Sequence, residues 1–187
     1  MDIEIANRQT CVQIRIPSLR RLVAGLMEEV QRTMKGSEWR SLSILLTDDS
    51  GIADVNRRYF LKCEPTDVIS FRYVAPGAAA AFDGELVVNA QCAASEGRHR
   101  GGLERELALY IAHGCNHLTG ENDDTPRRRA RMRRRELRWL SRASVLSPRR
   151  PLPLGPEPGR RFPASTLRQN GLATRRKRRA GKKAPSG

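Results

Sequence analysis

The sequence predicts an α+β fold: a small mixed β-sheet packed with helices, in a single domain, with a metal site on a central helix. Three observations predict it. Short alternating or β-branched runs and longer stripes at helical spacing follow one another in the order β-α-β-α-β-β-α-α, which suits helices laid on one small sheet. A chain of 187 residues is long enough to bury such a core. Near the end of one apolar helical stretch, His113 and His117 stand four residues apart, with Gly120 and Asp123 following.

The elements can be justified in order. Ile3 and Ile5 alternate with acids, and Val12, Ile14 and Ile16 alternate with polar residues, so both runs read as strand. Pro17 and Ser18 open a helix in which Leu19, Leu22, Val23, Leu26, Met27 and Val30 recur on one face to about Met34, and Gly36 ends it. Leu42 to Leu46 reads as strand. Asp48 or Asp49 then caps a short helix through Ile52, Val55 and Tyr59. Pro65 to Phe71 is a polar turn leading into a β-branched run, and residues 75–81 form an Ala/Gly-rich loop expected to be mobile. Gly84 to Val88 is a further strand, followed by a helix from about Ala90 to Arg98. His99 falls in a Gly/Arg-rich stretch and reads as an exposed loop residue. Thr125 and Pro126 start a last helix reaching about Arg142, with Ala130, Met132, Leu137 and Leu140 as its apolar residues and nine arginines among the rest.

The histidine stretch carries the chemistry. Leu103, Leu107, Tyr110 and Ile111 recur at helical spacing. Residues four apart on a helix differ by about 40° in direction, so both imidazoles leave one face. Gly120 suits the left-handed residue that ends a helix. A chain reversing there can bring Asp123 back to the rings, giving three ligands and an open side, the arrangement of catalytic rather than structural metal sites. Asp124 is one residue too distant for the same role. Cys115 points about 160° away from the histidines' side. The spacing H-x-x-x-H-x-x-G-x-x-D matches the long zinc motif of metzincin proteases at both histidines and the glycine. The protease's general base would follow the first histidine, where this chain has Gly114, so a metal hydrolase other than a protease is expected.

Charge and composition bound the partners. Of the formal charge of +15, the segment from Pro148 onward supplies +11, with 12 Lys/Arg against one acid. Residues 147–187 read as a Pro-rich linker followed by a basic, disordered tail, a composition that attracts nucleic acid by releasing counterions. The nine arginines of the last helix are either a solvated face or a phosphate-binding one. No run is long enough for a membrane span, and the first residues lack a signal peptide's pattern. Cys11, Cys63, Cys92 and Cys115 are scattered without a C-x-x-C pair. Reduced thiols, and hence a cytoplasmic location, are expected.

Three separated pieces, His113 to Gly120, Pro65 to Phe71 and Gly84 to Val88, resemble the YbeY-type endoribonucleases in order and spacing. The resemblance extends to Asn56, Tyr59, Met132 and Glu136 and covers about Met1 to Leu146. It implies a single-domain α+β metal hydrolase over residues 1–146, zinc as cofactor, and RNA, in particular rRNA and the ribosome, as partner. The family's ligands are three histidines in H-G-x-x-H-L-x-G-x-D-H. Transferred to this chain they are His113, His117 and, at the third position, Asp123, with Asn122 where the family has Asp. Aspartate is a sound zinc ligand, but two histidines and a carboxylate also suit other divalent transition metals such as iron or manganese. The family's arginine just after Tyr59 is here Phe60, read as a core residue; Arg57, Arg58 and Lys62 are the nearby cations that can compensate in binding RNA. The expected chemistry is cleavage of single-stranded RNA, with a metal-bound water or the RNA's own 2′-hydroxyl attacking phosphorus. No general base is assigned, Glu121 being the nearest candidate, while Thr66, Asp67 and Ser70 shape the loop beside the cleft. The competing reading is a ribosome-assembly RNA-binding factor in which the metal is structural.

Overall fold

The computed structural model describes residues 1–34, 38–74 and 81–143. The expectations for Gly36, for most of the Ala/Gly-rich loop and for the linker and tail lie outside the described residues. The chain runs β1 (Asp2–Asn7), α1 (Ile16–Thr33), β2 (Glu38–Thr47), α2 (Asp49–Phe60), β3 (Val68–Val74), β4 (Ala81–Asn89), α3 (Ala90–Arg100), α4 (Leu103–Leu118) and α5 (Pro126–Arg142). The strands form a four-stranded mixed sheet in the order β1-β2-β4-β3. β1, β2 and β4 are parallel, and β3 runs antiparallel to β4 at the edge.

Side-chain alternation along the strands sorts the core into two faces. Leu42, Ile44 and Leu46 of β2 and Phe82, Leu86 and Val88 of β4 pack with α1, α4 and the end of α5 in the main core. The other face is small: Ile69, Phe71, Val87 and Leu45 pack against Ile52 and Val55 of α2. All six apolar residues of α1's stripe are buried; at about 1.5–3 kcal/mol for each large aliphatic side chain, that stripe is ample to seat the helix.

Two glycines set how closely α4 approaches the sheet. A Cβ on Gly84 would lie 2.7 Å from Trp39 Cζ3 and 2.8 Å from Leu118 Cδ1. One on Gly114, between the two histidines, would lie 2.7 Å from Leu86 Cδ2 and 3.0 Å from Val68 Cγ2. Gly114 therefore does more than remove a general base: it lets the histidine helix press against β3 and β4. Ser70 Oγ and an Arg72 N–H complete the contact, donating to the carbonyls of Gly114 (3.2 Å) and Leu118 (3.3 Å).

Two sequence expectations are corrected. Residues 12–16 form no strand. The buried Gln9 side chain accepts from the Val12 N–H and donates to the Val12 carbonyl, both at 2.9 Å, and so satisfies the groups a neighbouring strand would have paired. His99 is exposed, as expected, but lies in the last turn of α3, which ends at the left-handed Gly101. Among the described residues, no helix is long and apolar enough to cross a membrane.

Candidate metal centre

Burial of Leu107, Ala108, Ile111, Ala112 and Cys115 fixes how α4 is rotated. His113 and His117 are thereby left half-buried on the side facing α5, their ring centroids 4.5 Å apart at 78°. After Leu118 the chain turns at Gly120, whose φ of 92° only glycine adopts cheaply. The loop then returns Asp123, whose Oδ2 lies 4.0 Å from His113 Nε2. Ligand atoms of His113, His117 and Asp123 all lie within 4.8 Å of one another, and this is the one group of three or more His, Cys or acidic side chains so placed among the described residues.

The hydrogen bonds fix the ring tautomers. His113 Nδ1 lies 2.8 Å from Glu136 Oε1, a carboxylate only 2% exposed that also accepts from Asn116 Nδ2 at 3.1 Å. His117 Nδ1 lies 3.1 Å from the Glu121 carbonyl, which can only accept. Both Nδ1 atoms therefore donate, and two Nε2 lone pairs face each other across 3.1 Å. Two acceptors at that distance repel unless a cation or one shared proton lies between them. Metal–ligand bonds of about 2.0–2.2 Å in a tetrahedron put donors about 3.3–3.6 Å apart; the two Nε2 atoms, at 3.1 Å, lie just under that range, and Asp123 Oδ2, at 4.0 Å from His113 Nε2, just over it. The donor set thus fits a divalent cation on an open side. Burial pulls the His113 imidazolium down, but Glu136's hydrogen bond and charge, with Asp67 and Asp123 adding, outweigh it and hold the pKa above the ordinary imidazole value.

Of the other expected site residues, Asp124 is engaged by Arg128, both oxygens at 2.9 Å, and does not compete with Asp123. Cys115 is buried, its thiol pushed up to about 12 by burial, and its Sγ points at Met27. Glu121 is clamped by Arg131 (2.5 Å) and Arg135 (2.7 Å). Partial burial pushes its carboxyl up, yet the two guanidiniums prevail and hold it below the usual range, an environment unsuited to accepting a proton. Arg57 pairs with Asp54 at 2.8 Å, and with Arg58 it lines a separate hollow beside Val55 and Tyr59. Lys62 is exposed in the following loop. The cleft beside His113 and Asp123 is lined by Asp67, Tyr110 and Glu136 and by three other cations, Arg100, Arg129 and Arg133. The reading of Phe60 as core is wrong: it is 49% exposed, stacked on Phe71 at 6.2 Å and 23°. Phe60 is one residue, hence about 100°, beyond Tyr59 on α2, and among the described residues no strand lies beyond the edge β3 to cover it.

Glu136 was not foreseen as part of the site, and the arginines of α5 were foreseen only as a solvated or phosphate-binding face, without saying which of them line the cleft. Glu136 had a signal: it is the lone acid among the nine arginines of α5 and sits four residues from both Met132 and Leu140, on the buried stripe. A charge on such a stripe asks for a buried partner. Arg129 and Arg133 carried no such signal, since helix register alone does not say which of nine arginines faces a cleft, and Arg100 comes from the end of a different helix, α3.

The family model for Endoribonuclease YbeY matches residues 4–144. Endoribonuclease YbeY of Rhodopirellula baltica is 36% identical over 107 residues, 56% of this chain and 54% of that protein, so the match spans about half of its length. The Geobacter metallireducens protein of the same name is 34% identical over 125 residues, covering 64% of this chain and 79% of its own. The Pelotomaculum thermopropionicum one is 30% identical over 151 residues, covering 78% and 99%. The solution structure of TM1509 from Thermotoga maritima superposes with a TM-score of 0.55 at 20% identity, covering 85% of this chain and 99% of that one, which speaks to the fold alone. With the family model spanning the whole of the described core, the chain belongs to the YbeY endoribonuclease family.

Proposed function

We propose that this chain is a metal-dependent endoribonuclease that cuts single-stranded RNA in rRNA maturation, acting in the cytoplasm with the ribosome as its setting. The observation that carries the proposal is the pair of Nε2 atoms 3.1 Å apart with Asp123 beside them, opening on a cleft rimmed by arginines. His113, His117 and Asp123 would hold the ion. Zinc is the first choice, with iron or manganese also compatible with two imidazoles and a carboxylate. Such an ion, when bound, supplies Lewis-acid polarisation of a phosphate oxygen and a lowered water pKa.

The rest is done by the chain's own residues. Glu136 and the Glu121 carbonyl hold the imidazoles in the donor-out tautomer that leaves Nε2 free. Arg100, Arg129 and Arg133 present charge-assisted donors to the backbone of an RNA strand in the cleft. Asn116, fully buried, ties α4 to α5 by donating to Glu136 and to the Met132 carbonyl (3.3 Å), keeping arginines and histidines in register. Glu121, neutralised by Arg131 and Arg135, serves as a brace for the turn and not as the general base. The four cysteines are all free, in keeping with a reducing compartment.

The test is cleavage of a labelled single-stranded RNA and of a hairpin of the same composition, with and without excess chelator. Cleavage of the single strand that stops with chelator and returns with added zinc is expected. Loss of folding on chelation, with RNA binding lost in parallel and no cleavage beforehand, would favour the structural-metal binding factor instead.

A further inference from the structure

Tyr59, Phe60 and Leu61 end α2 in the open, at 59%, 49% and 89% exposure. Tyr59 and Phe60 both engage Phe71 of β3, at 4.9 Å and 60° and at 6.2 Å and 23° respectively. The three rings form a continuous aromatic shelf along the sheet edge. Leu61 bounds it in the left-handed conformation (φ 58°, ψ 28°), a conformation leucine adopts only under strain. Its N–H caps α2 on the Arg57 and Asn56 carbonyls, which accounts for the backbone but not for an apolar side chain left in the open. Arg58 and Lys62, which flank Tyr59–Leu61 in the chain, are exposed, and neither has an acidic partner among the described residues.

The shelf is not part of the metal cleft. Ser70 and Arg72 of β3 point to α4, and Phe71, alternating with them, points to the opposite face under α2. Flat rings offered to solvent beside unpaired cations match unpaired bases on a negatively charged backbone, since every base has a face to stack and every phosphate a charge. A duplex has the charge, but its bases already stack on each other and offer no free face.

We propose that the Tyr59–Phe60–Phe71 shelf is a second RNA-contact site, separate from the cleft, which stacks unpaired bases of a single strand while Arg58 and Lys62 attract its phosphates. Its biological sense rests on the ribonuclease reading above, but its existence is tested without cleavage. The probe is a single-stranded oligodeoxynucleotide carrying 2-aminopurine, titrated with the full chain; quenching reports stacking rather than attraction by the basic tail. Trp39 and Trp139 are buried and do not contribute. Wild type should quench the single strand and not the duplex. Phe60→Ala and Phe60→Leu should each weaken the quenched complex by about 5- to 150-fold, the range for losing one base stack, with unchanged melting, and Phe60→Trp should retain it. His117→Ala should quench like wild type. A wild type that stacks the probe but cuts no RNA would sink the nuclease reading and leave the shelf standing. Quenching unchanged in Phe60→Ala, or lost in Phe60→Ala but kept in Phe60→Leu, would overturn the proposal, the latter marking an apolar docking patch instead.

Discussion

Replacing Glu136 by glutamine keeps the side chain's shape and removes its charge. In the wild type the carboxylate is 2% exposed and accepts from His113 Nδ1 at 2.8 Å and Asn116 Nδ2 at 3.1 Å, both on Oε1. A hydrogen bond to a charged group is worth about 1.5–3 kcal/mol and a neutral one about 0.5–1.5, so neutralising the acceptor removes about 1–1.5 kcal/mol of support for the His113 orientation. That alone weakens metal binding by about 5- to 13-fold. The amide can also turn its N–H₂ toward Nδ1, reversing the tautomer and moving the proton onto Nε2, which carries the loss toward the 100-fold end of what partners of ligating histidines show. Zinc affinity measured by competition with a coloured chelator should therefore fall about 10- to 100-fold in Glu136→Gln, with far-ultraviolet circular dichroism unchanged. Affinity within twofold of wild type would refute the claim that this carboxylate orients His113.

Two further perturbations test the scaffold. Gly114→Ala puts a methyl 2.7 Å from Leu86 Cδ2 and 3.2 Å from Ser70 Oγ. Overpacking of about 1–3 kcal/mol set against the roughly 1 kcal/mol gained in helix propensity leaves a net loss of about 0–2 kcal/mol in urea denaturation, and a variant more stable than wild type would contradict the close approach. Glu121's carboxyl is held below its ordinary value, so the stability it contributes is present above the unfolded-state pKa near 4.5 and is lost as pH falls through the lower folded value. Glu121→Gln should accordingly be less stable than wild type at pH 7, with the gap closing below about pH 4.5; a gap independent of pH would remove Arg131 and Arg135 as its cause.

What the sequence displayed about this site was its local part. The spacing of His113 and His117, the turn at Gly120 and the return of Asp123 lie within a dozen residues, so helix geometry and one local turn bring them together. Glu136 sits 23 residues from His113, and its partnership depends on how α5 docks on α4. The assignment of Arg129 and Arg133 to the cleft, against Arg131 and Arg135 to Glu121, depends on the same docking angle, while Arg100 reaches the cleft from the end of α3. The false strand at residues 12–16 has the opposite origin: its alternation was real, but Gln9 satisfies the Val12 backbone before any strand can. Phe60 misled because hydrophobicity was taken to mean burial, whereas the end of α2 lies over the edge strand β3, where no described residue covers the ring.

The central claim is that two imidazoles and a carboxylate hold one divalent ion. Elemental analysis of full-length protein purified without chelator or affinity-column metal, beside His117→Ala prepared identically, tests it most directly. About one equivalent of a transition metal in the wild type and none in the variant is the predicted result. A variant that keeps its stoichiometric metal would show that the ion, wherever it binds, is not held by these residues.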